Sequence, residues 1–257
     1  MKKMTYGKRL KIASENKAIV KQGFYNCSNG TVVKLNCSRQ SLKTKTSLKT
    51  PILLPEISRS TKFIITENTR KNDTISCVLS LRNEGITGEI IALNFANALF
   101  AGGGYRLGGD AQEESLCRCS LLYFAILPHT EYYNKHRVLP FPLYSNRMLI
   151  SDSVPVIRDM NGDLLPEPTV CTFITCAAVN RYYSKLLFIP EKKIKSVMEE
   201  RINGIICAMS ERNPEAIVLG AFGCGMYGNK RKVIIPMIEN AINRWITDEV
   251  KVVFAQP

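Results

Sequence analysis

Glu113 and Glu114 stand side by side near the end of NALFAGGGYRLGGDAQEES, residues 97–115. Carboxyl groups placed against a reacting atom serve as general acids and bases. Neighbouring helical residues point about 100° apart, so these two do not face each other as a pair. One acid can move a proton while the other holds substrate. Acids in a first helical turn also suit the positive end of the helix, by roughly 0.3–1 kcal/mol each. That alone leaves Gly102, Gly103, Gly104, Gly108 and Gly109 unexplained. Glycines beside an acid point to a ligand whose phosphate or ribose approaches the main chain closely.

A second glycine loop, GAFGCGMYGNKRK at 220–232, lies between an apolar run and a helical pattern. Backbone N–H groups freed by glycine, together with the start of a helix, make a phosphate cradle. Gly223, Gly225 and Gly228 also spell G-x-G-x-x-G. A dinucleotide fold is excluded by context, because that loop opens its domain and needs an acidic ribose partner after the next strand. Here only one further strand pattern, KVVFAQ, follows.

Other reactive side chains read as structural. The nine cysteines are scattered through apolar runs, as buried thiols are in a reducing compartment. Cys117 and Cys119 form C-x-C, with no second pair at zinc spacing. Cys117 has no His near it in sequence, so it reads as packing. His129 and His136 sit in the polar stretch PHTEYYNKHR and read as solvated, while Asp159 and Asp163 flank a turn. No metal or cofactor is expected.

The elements that position these groups follow from periodicity. Residues 5–22 read as a basic amphipathic helix, 31–36 as a strand, 38–50 as a loop, 62–68 as a strand and 73–85 as a helix. From residue 86 onward buried strands alternate with helices. GEIIALNFA is a strand covered on both faces, and a helix runs from about 112 to 127. Strands at 147–159 and 169–179 flank the turn MNGD, and a helix opens at Pro190. The strand EAIVLGAF, a helix at 233–245 and the final strand complete an α/β layered domain with a mixed sheet.

The charge is concentrated in one segment. Residues 1–71 hold 16 Lys and Arg against 3 acids, whereas the remainder is balanced at 19 against 19. A localised excess of this kind is an electrostatic footprint for a polyanion, either as a solvated arm or as one face of a folded segment. No apolar run approaches the roughly 20 residues of a membrane span, and the N-terminal residues lack a secretory leader pattern. The expected location is intracellular and cytoplasmic, with nuclear access left open.

These residues resemble the microbial branch of the poly(ADP-ribose) glycohydrolase family. The signature is GGG, a short spacer and QEE, here Gly102-Gly103-Gly104 and Gln112-Glu113-Glu114. The likeness extends to NFAN at 94–97, SLCRCSLLY at 115–123, PVIRDMNGDLLPEP at 155–168 and GAFGCGMYGN at 220–229. RLKIASENKAIVKQGFY resembles that branch's helical N-terminal extension, while 38–62 matches nothing in it.

The resemblance implies a macrodomain-like three-layer α/β fold with a mixed central sheet. Residues 1–71 would be a basic, mainly helical extension packed on or tethered to a catalytic domain at 72–257. The implied activity is hydrolysis of ribose–ribose O-glycosidic bonds in poly(ADP-ribose). Glu114 would be the general acid, and Glu113 and Asn97 would hydrogen-bond the ribose hydroxyls. Gly102, Gly103, Gly104 and Gln112 would approach ribose and diphosphate. Gly220, Gly223, Cys224, Gly225, Met226 and Tyr227 would wrap the diphosphate, with Phe222 or Tyr227 offering a ring. The expected partners are poly(ADP-ribose) or ADP-ribosylated macromolecules, with polyanion contact through 1–71. Two alternatives keep the fold: a mono-ADP-ribosyl hydrolase acting on modified protein or nucleic acid, and a non-catalytic ADP-ribose reader.

Overall fold

A computed structural model of the chain describes residues 4–57, 59–138 and 141–257. The basic amphipathic stretch forms α1 (Tyr6–Gln22), opened by the Thr5 hydroxyl, which accepts from the Lys8 N–H. Gly23, in the left-handed region at φ +79°, closes it. β1 (Phe24–Asn26) and β2 (Val32–Lys34) then pair as a separate antiparallel hairpin.

Seven further strands make one mixed sheet. Its order is β3 (Thr46–Lys49), β6 (Met148–Arg158), β7 (Leu164–Cys176), β5 (Ile90–Phe95), β8 (Ala216–Gly220), β9 (Lys251–Ala255) and β4 (Thr69–Arg70). β3, β6 and β7 pair antiparallel, and from β7 onward the pairing is parallel. Side-chain alternation divides the core into two layers. On β5 and β8, Ile90, Ala92, Ala216 and Val218 face one cluster, which includes residues of α3 (Thr74–Asn83), α4 (Gln112–Cys119) and α5 (Leu122–Ile126). Ile91, Leu93, Ile217 and Leu219 face the other, with α8 (Glu191–Ser210) and α9 (Arg231–Trp245). β5 leads to α4 on one face and β8 to α9 on the opposite face. Adjacent parallel strands that diverge in this way leave a crevice beyond their carboxyl ends, where α/β sheets place ligands.

Several expectations need correction. Residues 38–50 are not a loop: they form α2 (Arg39–Thr44) and β3. The Ser38–Ser41 capping box starts the helix, and Leu42 and Thr46 are buried while the lysines between remain at the surface. The expected strand at 62–68 is instead a 3₁₀ turn at Ile65–Asn68 followed by the two-residue β4. The helix expected at 112–127 breaks at Ser120, which bridges to Val156, while the Leu121 N–H donates to the Pro155 carbonyl. His136 is fully buried on α6 (Thr130–Arg137), between Tyr132 and Tyr144. His129 is also largely covered, at 11% side-chain exposure. α7 (Arg181–Leu186) completes the helices.

Both edge strands, β3 and β4, come from the first 71 residues. α1 likewise packs on the remainder of the chain. Its Asn16, wholly buried, donates to the Arg118 carbonyl at 2.9 Å and accepts from Arg158 Nε at 3.0 Å. Arg9 donates from Nε to the Gly108 carbonyl at 2.7 Å. No helix among the described residues is long and apolar enough to cross a membrane.

Candidate active site

The glycine segment and the acids meet at the crevice. Gly102 and Gly103 hold φ of +68° and +53°, so the chain turns tightly against the first turn of α4. A Cβ on Gly103 would lie 2.6 Å from Glu114 Oε1 and 3.2 Å from Glu113 Oε2. Both carboxylates therefore reach the same glycine. Glu114 accepts from the Gly104 N–H at 2.8 Å through Oε1 and from the Ala111 N–H at 3.0 Å through Oε2. Glu113 accepts from the Asn97 N–H at 2.7 Å and from Asn94 Nδ2 at 3.3 Å. Burial pushes the Glu113 carboxyl up to about 8, and the neighbouring Glu114 charge adds to that despite these donors. A neutral Glu113 relieves the repulsion between adjacent acids.

Gln112 works behind the acids. Its Oε1 accepts from the Phe95 N–H at 2.9 Å and its Nε2 donates to the Leu93 carbonyl at 2.8 Å, which ties α4 to the end of β5. The Asn97 Oδ1 accepts from the Leu99 and Phe100 N–H groups at 2.8 and 3.1 Å, shaping the turn that leaves the strand.

The second loop forms the opposite wall. Gly223 has φ +69°, and a Cβ there would lie 2.5 Å from that of Ala178. Asn229 pins the loop, donating from Nδ2 to the Val179 and Gly223 carbonyls at 2.9 and 3.1 Å. Among the described residues, the backbone N–H groups of Gly223, Gly225, Met226 and Tyr227 have no hydrogen-bond acceptor. Gly225 borders open space and Met226 is almost wholly exposed. Four free donors on one turn are what a diphosphate requires. The Tyr227 hydroxyl accepts from the Ala98 N–H at 2.9 Å, joining the two walls.

Between them lies a cleft with about 660 Å³ of free space, lined by both acids, Asn97, Gln112, Phe222, Gly223, Gly225, Met226 and Tyr227. Gly102, Gly103 and Gly104 are not part of that lining; they support the carboxylates from the side. Gly220 lies under Phe95, and Cys224 faces an adjoining cavity. That cavity shares Phe95, Ala111, Gln112 and Gly225 with the cleft and continues past Asp73, Ile75 and Arg231. Sequence reasoning missed Phe95, Ala96, Ala111 and Ala178 in the lining. NFAN pointed to the first two, whereas Ala178 carries no sequence signal. Cys117 is completely buried, and that burial pushes its thiol upward, as expected of a packing residue.

The family model for the microbial-type poly(ADP-ribose) glycohydrolase (PARG) catalytic domain matches residues 13–159, more than half of the chain. The chain belongs to the microbial-type PARG family. This poly(ADP-ribose) glycohydrolase is similar over 97% of its length to the enzyme from Thermomonospora curvata, at 29% identity and a TM-score of 0.86, covering 93% of that chain. The same enzyme bound to the inhibitor ADP-HPD gives 28% identity and 0.82, again over 97% of this chain and 93% of that one. The PARG of Deinococcus radiodurans in complex with ADP-ribose matches at 27% identity and 0.74, over 87% of this chain and 92% of that one. No curated protein matched. The three-layer, mixed-sheet architecture of this glycoside hydrolase is thus that of known PARG structures.

Proposed function

We propose that this chain hydrolyses ribose–ribose O-glycosidic bonds of poly(ADP-ribose) with Glu114 as sole proton donor and acceptor. One observation carries the assignment: the Glu114 carboxyl and the free N–H groups of Gly223, Gly225, Met226 and Tyr227 line one cleft. The diphosphate takes the loop donors. Asn97 and the neutral Glu113 hold the hydroxyls of the ribose beyond it. Tyr227 walls the ribose end, where its hydroxyl already meets Ala98, and the Phe95–Phe222 pair, 5.8 Å between centroids, leads toward the adjoining cavity. That cavity receives the adenosine half.

As the C1″–O bond breaks, its electron pair leaves with oxygen, and Glu114 transfers its proton there. The oxocarbenium-like ribose that forms lies near the negative diphosphate. Water then attacks C1″ and returns a proton to the Glu114 carboxylate. Backbone N–H groups fix both oxygens of this acid, so it enters each step already oriented.

Labelled polymer tests the reading. Wild type should release free ADP-ribose, and Glu114→Gln should be slower by over about 10²-fold, in line with general acid–base catalysis. ADP-ribose binding should survive in the variant. Polymer left intact by wild type would refute it.

A further inference from the structure

On the far side of the scissile bond the leaving group is the 2′-oxygen of a second ribose. That ribose carries an adenine one carbon away and a phosphate on its 5′ carbon. Any surface next to Glu113 and Asn97 on the solvent side meets those groups first.

Such a surface exists. Asn97 donates to Glu113 through its N–H and accepts from the Phe100 N–H through its side chain, so Asn97 links Phe100 to the acid. Phe100 is 59% exposed. The Arg137 guanidinium lies 5.4 Å from the centroid of the Phe100 ring. Arg137 is held by neutral oxygens alone, donating to Asn134 Oδ1 and to the Leu99 carbonyl, each at 2.9 Å. Among the described residues it has no carboxylate partner, unlike Arg118, Arg158, Arg181 and Arg212. An oriented cation with no anion, on an exposed ring three residues beyond the cleft-lining Asn97, fits a nucleotide unit. Arg137 suits phosphate, and the ring suits a base.

Resting on the polymer reading, we infer that Phe100 and Arg137 form a second subsite, which holds the adenosine phosphate unit on the leaving side of the bond. The subsite gives the enzyme a means of preferring polymer over ADP-ribose joined to a non-nucleotide group.

The test compares two substrates: poly(ADP-ribose), and an aryl glycoside of ADP-ribose whose leaving group has no adenosine. Wild type, Phe100→Ala, Phe100→Trp and Arg137→Ala are assayed on both. For each alanine variant, kcat/KM on polymer should fall at least about tenfold further than on the aryl glycoside, as expected when one stacked base or one phosphate loses its partner. Phe100→Trp should restore polymer cleavage. Binding of monomeric ADP-ribose should follow wild type. Equal losses on both substrates, or no loss on either, would overturn the subsite. A wild type that cleaves the aryl glycoside but not polymer would instead overturn the polymer reading itself.

Discussion

Glu114 and Glu113 are neighbours in different surroundings. Both Glu114 oxygens accept backbone N–H groups. In Glu114→Gln the amide nitrogen therefore faces one N–H donor, and leaving that buried donor without an acceptor costs about 1–3 kcal/mol. A modest loss of stability should accompany the loss of turnover, measurable as a lower denaturation midpoint. Glu113 behaves oppositely. Burial raises its carboxyl from the ordinary 4.5 to about 8. Between those values the folded chain keeps a proton that the unfolded chain releases, so stability falls as pH rises through that window. The favourable contribution is complete below the lower value and gone above the upper. Glu113→Gln carries no such proton. Its stability relative to wild type should improve from about pH 5 to about pH 8 in denaturant titrations. A difference independent of pH would place this carboxyl in water.

At the scale of elements, glycines do two separate jobs. Gly103 makes room: its positive φ and its 2.6 Å approach to Glu114 Oε1 leave no place for a methyl group. Gly103→Ala should cost more than about 1 kcal/mol and displace the acid, lowering both melting temperature and kcat. Gly225 keeps the cleft open: a Cβ there would meet nothing within 4 Å. Gly225→Ala should leave stability within about 0.5 kcal/mol of wild type. It should weaken ADP-ribose binding in calorimetry, because the methyl group enters the diphosphate turn. If both variants behaved alike, the two roles would not be separate. α1 also contributes, since Arg9 holds the Gly108 carbonyl and the Tyr6 ring fills the space beside that glycine. The basic N-terminal helix thereby braces the loop that leads into the acids' helix.

At the scale of the whole molecule, the basic segment, among the described residues, packs on the remainder of the chain through α1, β3 and β4. Lys17, Lys21 and Lys34 are exposed, and none forms an ion pair among the described residues. We propose that they meet the polymer beyond the cleft. Replacing all three with Gln should weaken binding of long poly(ADP-ribose) and reduce the slope of log Kd against log salt by about 0.7 for each phosphate no longer neutralised. Affinity for monomeric ADP-ribose should hold. An equal fall for monomer would place these lysines in the cleft instead.

Much of this was legible in residue order. Glycines ahead of paired acids, a phosphate turn near the chain's end and strand–helix alternation are local patterns, because backbone conformation and side-chain periodicity act over a few residues. Ser38–Ser41 capping and the edge strand β3 are hidden because Ser, Thr and Lys dominate that stretch with no apolar period, and only sheet pairing reveals which of its residues turn inward. His136 looked solvated for the same reason: its burial comes from Tyr132 and Tyr144, and the second lies on another segment. The sequence by itself determined the kinds of groups available and their local turns. Tertiary structure alone decided that the glycines cradle the acids, that Glu113 loses its water, and that the Arg137 guanidinium lies over the Phe100 ring. Those outcomes depend on packing between segments far apart in the chain, and no local pattern encodes them.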